Sequence, residues 1–331
     1  MSTNHKDQRP RRLRASDIIR DSVAETRLHS SQLIQPHFCL PGDSGEEQIA
    51  SMPGIRRTGT KELLSTVRSD LELGIQKVLL FGLATDDLKD STGSNSSDPG
   101  SAVTNAVRAL KAEFGDELLV ITDVCLCAYT DHGHCGLLED GKVLNDASLA
   151  PLTAMAIAHA DAGADVVAPS DMMDGRIQAM RAGLDAAGHV DVALLSYAVK
   201  YASAWYGPFR DAANSSPGQG DRKTYQMDPR NSREALREAA LDEEEGADML
   251  MVKPALSYLD VISAVKANTN LPVVAYNVSG EYSAVKAAAD RGWLDEAQVV
   301  QETLTSIARA GADMTITYHA RAALQNGWLG Q

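Results

Sequence analysis

Short apolar runs alternate with longer segments of helical periodicity along most of the chain. Eight of the runs have the length of a buried strand. Strands that alternate with helices indicate a parallel sheet with right-handed crossovers. Eight such strands favour an α/β fold of the closed type, a (β/α)8 TIM barrel, over an open sheet. The predicted strands are residues 33–38, 77–83, 118–124, 165–169, 191–197, 248–253, 272–276 and 313–318, and the clearest predicted helices are residues 60–73, 147–162, 231–245 and 258–268.

A Gly-Ala-Asp triplet leads into three of these strands, starting at Gly163, Gly246 and Gly311. Glycine readily adopts the left-handed conformation that ends many helices, after which the chain enters the next strand. The triplets therefore support the same succession of helices and strands.

The sequence also predicts an N-terminal arm, a barrel domain and two long loops. Residues 1–30 precede the first predicted strand and have no place in a barrel, so we expect an N-terminal arm that makes oligomer contacts. Residues 31–331 are then the catalytic barrel. The segments 90–100 and 214–222, which are rich in Ser, Gly, Asn and Pro, are predicted loops, and the second follows the fifth strand as a lid would.

The composition is that of an ordinary soluble globular protein, with 44% hydrophobic and 23% charged residues among 331. The formal net charge of −14 argues against nucleic-acid or membrane partners, because binding to nucleic acid or to an anionic membrane needs a basic surface. The basic residues 9–14 are followed by no apolar segment, and no secretory signal or membrane span is recognisable. We therefore expect a cytoplasmic protein.

In a barrel of this kind, catalytic residues lie where the strands end and the following loops begin. Six predicted strand ends carry residues of unusual chemistry, which identifies this face as the candidate active face. In chain order, these residues are Asp123 with the cysteines behind it, Ser170 with Asp171, Lys200, Lys253, Ser279 and Tyr318.

Two lysines end adjacent apolar strands, Lys200 and Lys253. Desolvation lowers the pKa of a lysine, and a second ammonium group nearby lowers it further, leaving a free amine that can attack a carbonyl carbon. In the alternative interpretation, each lysine extends from the barrel mouth to solvent or pairs with a carboxylate. The pattern alone leaves both interpretations open.

Three of the four cysteines, Cys125, Cys127 and Cys135, fall within eleven residues. In a cytosolic chain such a cluster favours a metal site over disulfides. Three thiolates leave the fourth position of a tetrahedral Zn²⁺ free for water or substrate, as in catalytic sites. His132 and His134 could instead complete a closed site, and three buried free thiols are the remaining alternative.

Anion-binding groups lie on both sides of the predicted lid. Arg210 and Arg222 flank it, and arginine is suited to recognise a carboxylate through two hydrogen bonds. The hydroxyls of Ser279 and Tyr318 are candidates for a second carboxylate. The alternatives are an exposed ion pair for each arginine and a core position for the tyrosine.

Six motifs stand out in order along the chain, and they are residues 123–135 with all three cysteines, 168–176, 196–202, 206–213, 251–254 and 276–281. Taken together, they resemble the porphobilinogen synthase (5-aminolevulinate dehydratase) family, and the resemblance covers residues 11–324. The resemblance implies a (β/α)8 barrel with an N-terminal arm, usually a homo-octamer. It also implies an enzyme of tetrapyrrole biosynthesis that joins two 5-aminolevulinate molecules with loss of two waters.

The resemblance also assigns roles in two substrate sites. The lysine that matches Lys253 forms a Schiff base with the first 5-aminolevulinate, and the lysine that matches Lys200 binds the second. The substrate-binding residues that it implies are Ser279 and Tyr318 for the first carboxylate, Arg210, Arg222 and Gln226 for the second, Asp123 and Ser170 near the substrate amines, and Tyr276.

The resemblance also implies two metal sites. Zinc on Cys125, Cys127 and Cys135 is expected beside the second substrate. Family members with aspartate and alanine at these positions do not need zinc, but this chain has the cysteine version. Other members bind an allosteric Mg²⁺ near a subunit interface. Glu238 has the expected position for that ligand, and residues 11–17 resemble the arm that shares the interface.

Two other functions compete with this one. A class I aldolase or a related Schiff-base lyase on the same barrel explains Lys253 but needs neither Lys200 nor the three cysteines. A zinc-stabilised barrel that only binds or assembles explains the cysteines but not the two lysines.

Overall fold

The computed structural model describes residues 8–218 and 220–329. Residues 1–7 of the predicted arm, residue 219 of the predicted lid and residues 330–331 of the predicted barrel segment lie outside the described residues.

Eight parallel strands pair in chain order around a closed ring. The ring closes where the first strand pairs with the eighth, with Leu33 opposite Thr315 and Ile34 opposite Ile316. The predicted (β/α)8 barrel is thereby confirmed. The strands are β1 Leu33–Cys39, β2 Lys77–Gly82, β3 Leu119–Val124, β4 Val166–Pro169, β5 Ala193–Lys200, β6 Met249–Lys253, β7 Val273–Asn277 and β8 Met314–Thr317.

Helices connect the strands, and the four that the sequence predicts most clearly are present with ends within two residues of the prediction. No helix within residues 8–218 and 220–329 is both long and apolar enough to cross a membrane. The helices are α1 Asp17–Ser22, α2 Thr60–Glu72, α3 Ala102–Phe114, α4 Asn145–Asp161, α5 Arg176–Ala186, α6 Gly207–Ala212, α7 Arg233–Glu244, α8 Leu259–Asn268, α9 Ser279–Asp290, α10 Glu296–Arg309 and α11 Ala320–Gln325.

Short strands lie outside the barrel ring. Glu46–Gln48 and Arg56–Thr58 pair with each other, and the second also pairs with β1. Leu137–Glu139 and Lys142–Leu144 form a separate hairpin in the long connection after β3.

The strands alternate between two cores, as the pleat of a barrel requires. Leu79, Ile121 and Val274 belong to one buried cluster inside the ring. Their neighbours Val78 and Val120 belong to another cluster with the helices outside it. The inner cluster is rich in aromatic residues toward the carboxyl ends of the strands, where the predicted site residues lie.

One extra residue in β5, relative to β6, decides which way the end of β5 faces. Tyr197 belongs to the interior cluster, so regular alternation would turn Lys200 away from the interior. The extra residue lies between positions 196 and 199 and reverses the alternation, so the Lys200 ammonium lies 5.6 Å from the centre of the Tyr197 ring. The paired Cα atoms are Leu195 with Met249, Ser196 with Leu250, Val199 with Val252 and Lys200 with Lys253.

The three Gly-Ala-Asp triplets fasten pairs of strands at the opposite, amino end of the barrel. Their glycines have φ of 102°, 104° and 115°, as expected for helix ends that only glycine adopts easily. Each aspartate donates its backbone N–H to a carbonyl of the preceding strand and accepts that same residue's N–H on its carboxylate, at 2.7 Å. The bonded pairs are Asp165 with Val120, Asp248 with Leu194 and Asp313 with Val273.

We expect Asp248→Ala to lower the free energy of unfolding by about 1–3 kcal/mol, because the Leu194 N–H loses its acceptor inside the sheet. Asp248→Asn, which keeps a carbonyl oxygen there, is expected to cost less. Urea unfolding at one fixed protein concentration measures both. Equal midpoints for the alanine variant and the wild type would show that the carboxylate contributes nothing.

The described part of the predicted arm lies on the surface. Residues 8–25 are exposed, and the exposed fractions of Leu13 and Ile18 are 55% and 79%. The short helix α1 begins after Ser16, whose hydroxyl accepts the Ile19 N–H at 3.3 Å. Apolar side chains of the arm are therefore left uncovered by the rest of the described chain.

Candidate active site

Lys200 and Lys253 stand side by side at the carboxyl ends of β5 and β6, where they are register partners. Each residue is only 5% exposed. Neither forms an ion pair among the residues that the structure describes. The interpretation in which each lysine reaches solvent is therefore wrong.

Aromatic rings surround the Lys253 ammonium group. Burial and the charge of Lys200 lower the pKa of Lys253 to about 7, so much of it is a free amine near neutral pH. The distances from Nζ to the ring centres are 4.2 Å for Tyr276, 5.1 Å for Tyr197, 5.1 Å for Phe209 and 5.4 Å for Tyr206.

Asp123 and Ser170 lie beside the lysines. The Lys200 ammonium donates to the Ser170 carbonyl oxygen. Burial raises the pKa of the Asp123 carboxyl, although both lysine charges and the Ser170 side chain oppose this rise. A carboxyl group whose pKa is raised in this way is suited to exchange a proton with a bound amine.

The hydroxyls of Ser279 and Tyr318 lie at the ends of β7 and β8, as predicted. The Ser279 Oγ accepts the Phe209 N–H at 2.9 Å, which places α6 against the start of α9. The hydroxyls of Tyr276 and Tyr318 are 3.0 Å apart, and both residues are buried. These groups can donate to a carboxylate that enters beside Lys253.

The sulfur atoms of Cys125, Cys127 and Cys135 all lie within 4.8 Å of one another. All three residues are buried, and one turn of 3-10 helix at residues 126–128 brings Cys127 toward Cys125. Zn–S bonds of about 2.3 Å in a tetrahedron need sulfur atoms about 3.8 Å apart, so the three thiols lie near enough to one another to serve as zinc ligands. Within the described residues no other potential ligand joins the group, so neither His132 nor His134 completes it.

Arg222 joins the cysteine loop to the predicted lid. Its Nη2 donates to the carbonyl oxygens of Gly133 at 2.9 Å and Ser215 at 2.6 Å, and the residue is 5% exposed. Burial and the charge of Arg222 lower the pKa of Arg210, so the two guanidinium charges repel each other. A carboxylate between them would offset this repulsion.

Several buried polar atoms of this region have no hydrogen-bond partner in the described part of the chain. They are the Nε atoms of Arg210 and Arg222 and both side-chain amide atoms of Gln226. A buried polar group without a partner is costly, so native proteins leave few of them outside ligand sites. Each of the three residues thus has an unpaired N–H donor that a bound anion could use.

Glu238 lies apart from the lysines, on α7 outside the ring of strands. It is partly buried in a surface groove that also contains Asp174, Asn231 and Glu234. Burial and the neighbouring Asp242 and Asp174 carboxylates raise the pKa of Glu238.

The structure adds residues that the sequence reasoning did not single out. Tyr197 and Tyr206 border the Lys253 amine, and Glu281 is a buried carboxyl at the start of α9. All three residues belong to motifs of the resemblance, 196–202, 206–213 and 276–281, so the motifs contained a signal for each of them. Tyr197 carries a second signal, because its strand ends in Lys200.

Comparison with known proteins identifies the family. The sequence profile of the delta-aminolevulinic acid dehydratase family matches residues 7–326. A delta-aminolevulinic acid dehydratase of Halalkalibacterium halodurans is 55% identical over 314 residues, which cover 95% of each chain. That of Bacillus subtilis is 52% identical over 323 residues, which cover 98% of each chain.

A crystal structure agrees with the sequence comparisons. Delta-aminolevulinic acid dehydratase (porphobilinogen synthase) of Toxoplasma gondii, solved in complex with its reaction product porphobilinogen, superposes with a TM-score of 0.94. It is 46% identical, and the match covers 96% of this chain and 91% of that one. Fold, site and relatives agree, and this chain belongs to the delta-aminolevulinic acid dehydratase (porphobilinogen synthase) family of lyases.

Proposed function

We propose that this chain condenses two molecules of 5-aminolevulinate into porphobilinogen with loss of two waters, through Schiff bases on its two lysines. The observation that carries the proposal is the pair of buried amines at adjacent strand ends, one of them with a pKa near 7. Both reactants are amino ketones, and an imine is how an amine holds a ketone covalently. Two amines side by side bring the two ketones together.

The first substrate binds at Lys253. The neutral amine attacks the ketone carbon, and the carbinolamine loses water to give an imine between Nζ and that carbon. The hydroxyls of Ser279 and Tyr318 donate to the substrate carboxylate, and the ring of Tyr276 covers the amine. The aromatic surroundings exclude water, which protects the imine from hydrolysis.

The second substrate binds at Lys200. Its carboxylate meets the free donors of Arg210, Arg222 and Gln226. A carbon–carbon bond then forms between a methylene carbon beside the imine of one molecule and the imine carbon of the other, and a carbon–nitrogen bond forms between the free substrate amine and the remaining imine carbon. The bonds from these two carbons to the lysine Nζ atoms break, which returns both amines to the enzyme, so the two waters lost are those released when the imines formed. Asp123 and the Ser170 side chain lie where they can accept and return the protons of the substrate amines.

Cys125, Cys127 and Cys135 would hold a Zn²⁺ ion next to Arg222 and the second substrate. When bound, zinc would supply Lewis-acid polarisation of an oxygen atom or of a bound water. Three protein ligands leave a position for that oxygen.

Assembly and regulation belong to the same proposal. The exposed Leu13 and Ile18 support an arm that packs on a neighbouring subunit, in a cytoplasmic homo-octamer. Glu238, in its groove of carboxylates and Asn231, is the proposed ligand of an allosteric Mg²⁺. Burial and the neighbouring Asp242 and Asp174 carboxylates raise the pKa of Glu238, and a cation there would offset the repulsion among these carboxylates.

The direct test is porphobilinogen formation from 5-aminolevulinate, measured colorimetrically. Folded protein that makes no porphobilinogen under any metal condition would contradict the proposal. Trapping with sugar phosphates but not with 5-aminolevulinate would favour an aldolase. A protein that traps neither ketone and unfolds on chelation would favour a zinc-stabilised binding protein.

The trapping rate at Lys253 is expected to rise with pH through about 7, because only the deprotonated amine attacks a ketone. Levulinate is a suitable probe, since it has the ketone and carboxylate of the substrate but no amine. Cyanoborohydride reduction followed by peptide mapping gives the rate at each pH. In Lys200→Met the rise should move to higher pH, because the like charge that lowers the Lys253 pKa is gone. An unmoved profile would mean that Lys200 does not tune Lys253.

A further inference from the structure

A line of buried hydrogen bonds runs beneath the proposed first-substrate pocket, from the loop after β6 to the loop after β8. It involves Glu281, Asn277 and Thr317, whose exposed fractions are 2%, 1% and 0%. The mechanism above gives these residues no role. Their hydrogen bonds run to backbone groups and to one another.

Glu281 connects the loops that follow β6 and β7. Its Oε1 accepts the Leu256 N–H and its Oε2 accepts the Val278 N–H, both at 2.9 Å. Leu256 lies three residues after Lys253, and Val278 directly precedes Ser279. The Glu281 carboxylate therefore links the loop that follows Lys253 to the backbone that directly precedes Ser279.

Asn277 and Thr317 extend the line to β8. Asn277 Nδ2 donates to Glu281 Oε2 and Asn277 Oδ1 accepts from Thr317 Oγ1, both at 2.9 Å. Thr317 Oγ1 in turn accepts the His319 N–H at 3.2 Å. Asn277 and Thr317 are register partners on β7 and β8. Tyr318 lies between Thr317 and His319, so the last of these hydrogen bonds spans it.

Burial raises the pKa of Glu281 to about 7, and with this carboxyl ionised each member has only one orientation in which every bond is made. A carboxylate accepts only, so the amide of Asn277 must turn its nitrogen to Glu281 and its oxygen to Thr317. The threonine hydroxyl must then donate to Asn277 and accept from the backbone. Buried networks that are fully satisfied in this way are rigid, and the loss of one member leaves its partners unpaired.

We propose that Glu281, through Asn277 and Thr317, is a positioning residue that fixes the spacing between the Lys253 amine and the Ser279 and Tyr318 hydroxyls. It thereby selects a substrate whose ketone and carboxylate are separated by two methylene groups. The proposal rests on the proposed function, because it takes Lys253 as the imine-forming amine and the two hydroxyls as the carboxylate site.

Two keto acids measure this spacing. Levulinate has the two methylene groups of 5-aminolevulinate, and 5-oxohexanoate has three, with the same charge. Cyanoborohydride trapping at Lys253 gives a rate for each, and the ratio of the two rates is the selectivity. We expect Glu281→Gln and Thr317→Val each to reduce this ratio about tenfold, since small misplacements of reacting groups cost that much or more.

Matched variants separate positioning from general damage. Asp290→Asn makes the same acid-to-amide change at an exposed position of the same helix, and should keep the wild-type ratio. Thr317→Ser keeps the hydroxyl and should restore the ratio that Thr317→Val loses. Thermal unfolding establishes which variants are folded, and Thr317→Val decides the question if Glu281→Gln does not fold.

The outcomes are distinguishable. If the wild type gives no adduct at Lys253, the proposed function fails first. If the wild type traps levulinate selectively and folded Glu281→Gln or Thr317→Val keeps that selectivity, the positioning role is overturned. A lower rate with an unchanged ratio would likewise reduce the network to a structural role.

Discussion

Replacing Lys253 with alanine is expected to reduce porphobilinogen formation by at least about a thousandfold, because it removes the amine that forms the first imine. The Lys200 ammonium should not take its place, because it donates to the Ser170 carbonyl oxygen. Four aromatic rings border the Lys253 amine. The variant should remain folded, since it leaves a cavity among these rings in place of a desolvated amine that has no ion-pair partner among the described residues.

Steady-state turnover and trapping with levulinate together check this expectation. Lys61→Ala, at an exposed position on α2, is the matched control and should keep wild-type values for both. In Lys253→Ala the peptide that contains position 253 should carry no adduct. Turnover at the wild-type level in this variant would remove Lys253 from the mechanism.

Removal of zinc should have the second largest effect, a loss of turnover of at least about a hundredfold that added Zn²⁺ restores. Changes outside the immediate ligands of a metal site already cost about 10–100-fold, and the ligands themselves matter more. The barrel should survive chelation, because the cysteines lie in the connection after β3 while the ring is closed by strand pairing. Circular dichroism before and after chelation tests this survival.

Two cysteine variants assign the metal to its site. Cys127→Ala is expected to lose both bound zinc, measured by mass spectrometry of the metal, and turnover. Cys39→Ala is the control, because Cys39 is buried in β1 and burial raises the pKa of its thiol to about 12. Full turnover by protein that has been shown to contain no zinc would leave the three cysteines without the proposed role.

Much of the fold and the composition of the site could be predicted from the sequence. Strand ends of a parallel barrel meet at one face, so Lys253, Ser279 and Tyr318 had to converge once the strands were located. The cysteines required no long-range information, because all three fall within eleven residues, a stretch short enough for one loop to bring them together. Local pattern and topology were sufficient for both.

Other features depend on tertiary contacts that periodicity does not encode. The rings of Tyr206, just before α6, and of Phe209, within α6, reach Lys253 after a turn whose direction no hydrophobic pattern specifies. Glu281 looks like an ordinary acidic residue at the start of a helix, where such residues are favoured on the surface too. Its burial is determined by the Leu256 N–H, which approaches from another loop.

The orientation of Lys200 shows the same limit and has a wider consequence. The Lys200 amine, the proposed second amine of the reaction, faces the barrel interior only because β5 is one residue longer than its neighbour between positions 196 and 199. The number of residues in β5 therefore determines whether the Lys200 side chain points into the candidate active site. During divergence, substitutions in this stretch are tolerable one at a time, but a single-codon deletion would turn the second amine outward while every catalytic residue remained in the gene. Alignments of relatives should therefore show β5 free of gaps even where its residues vary.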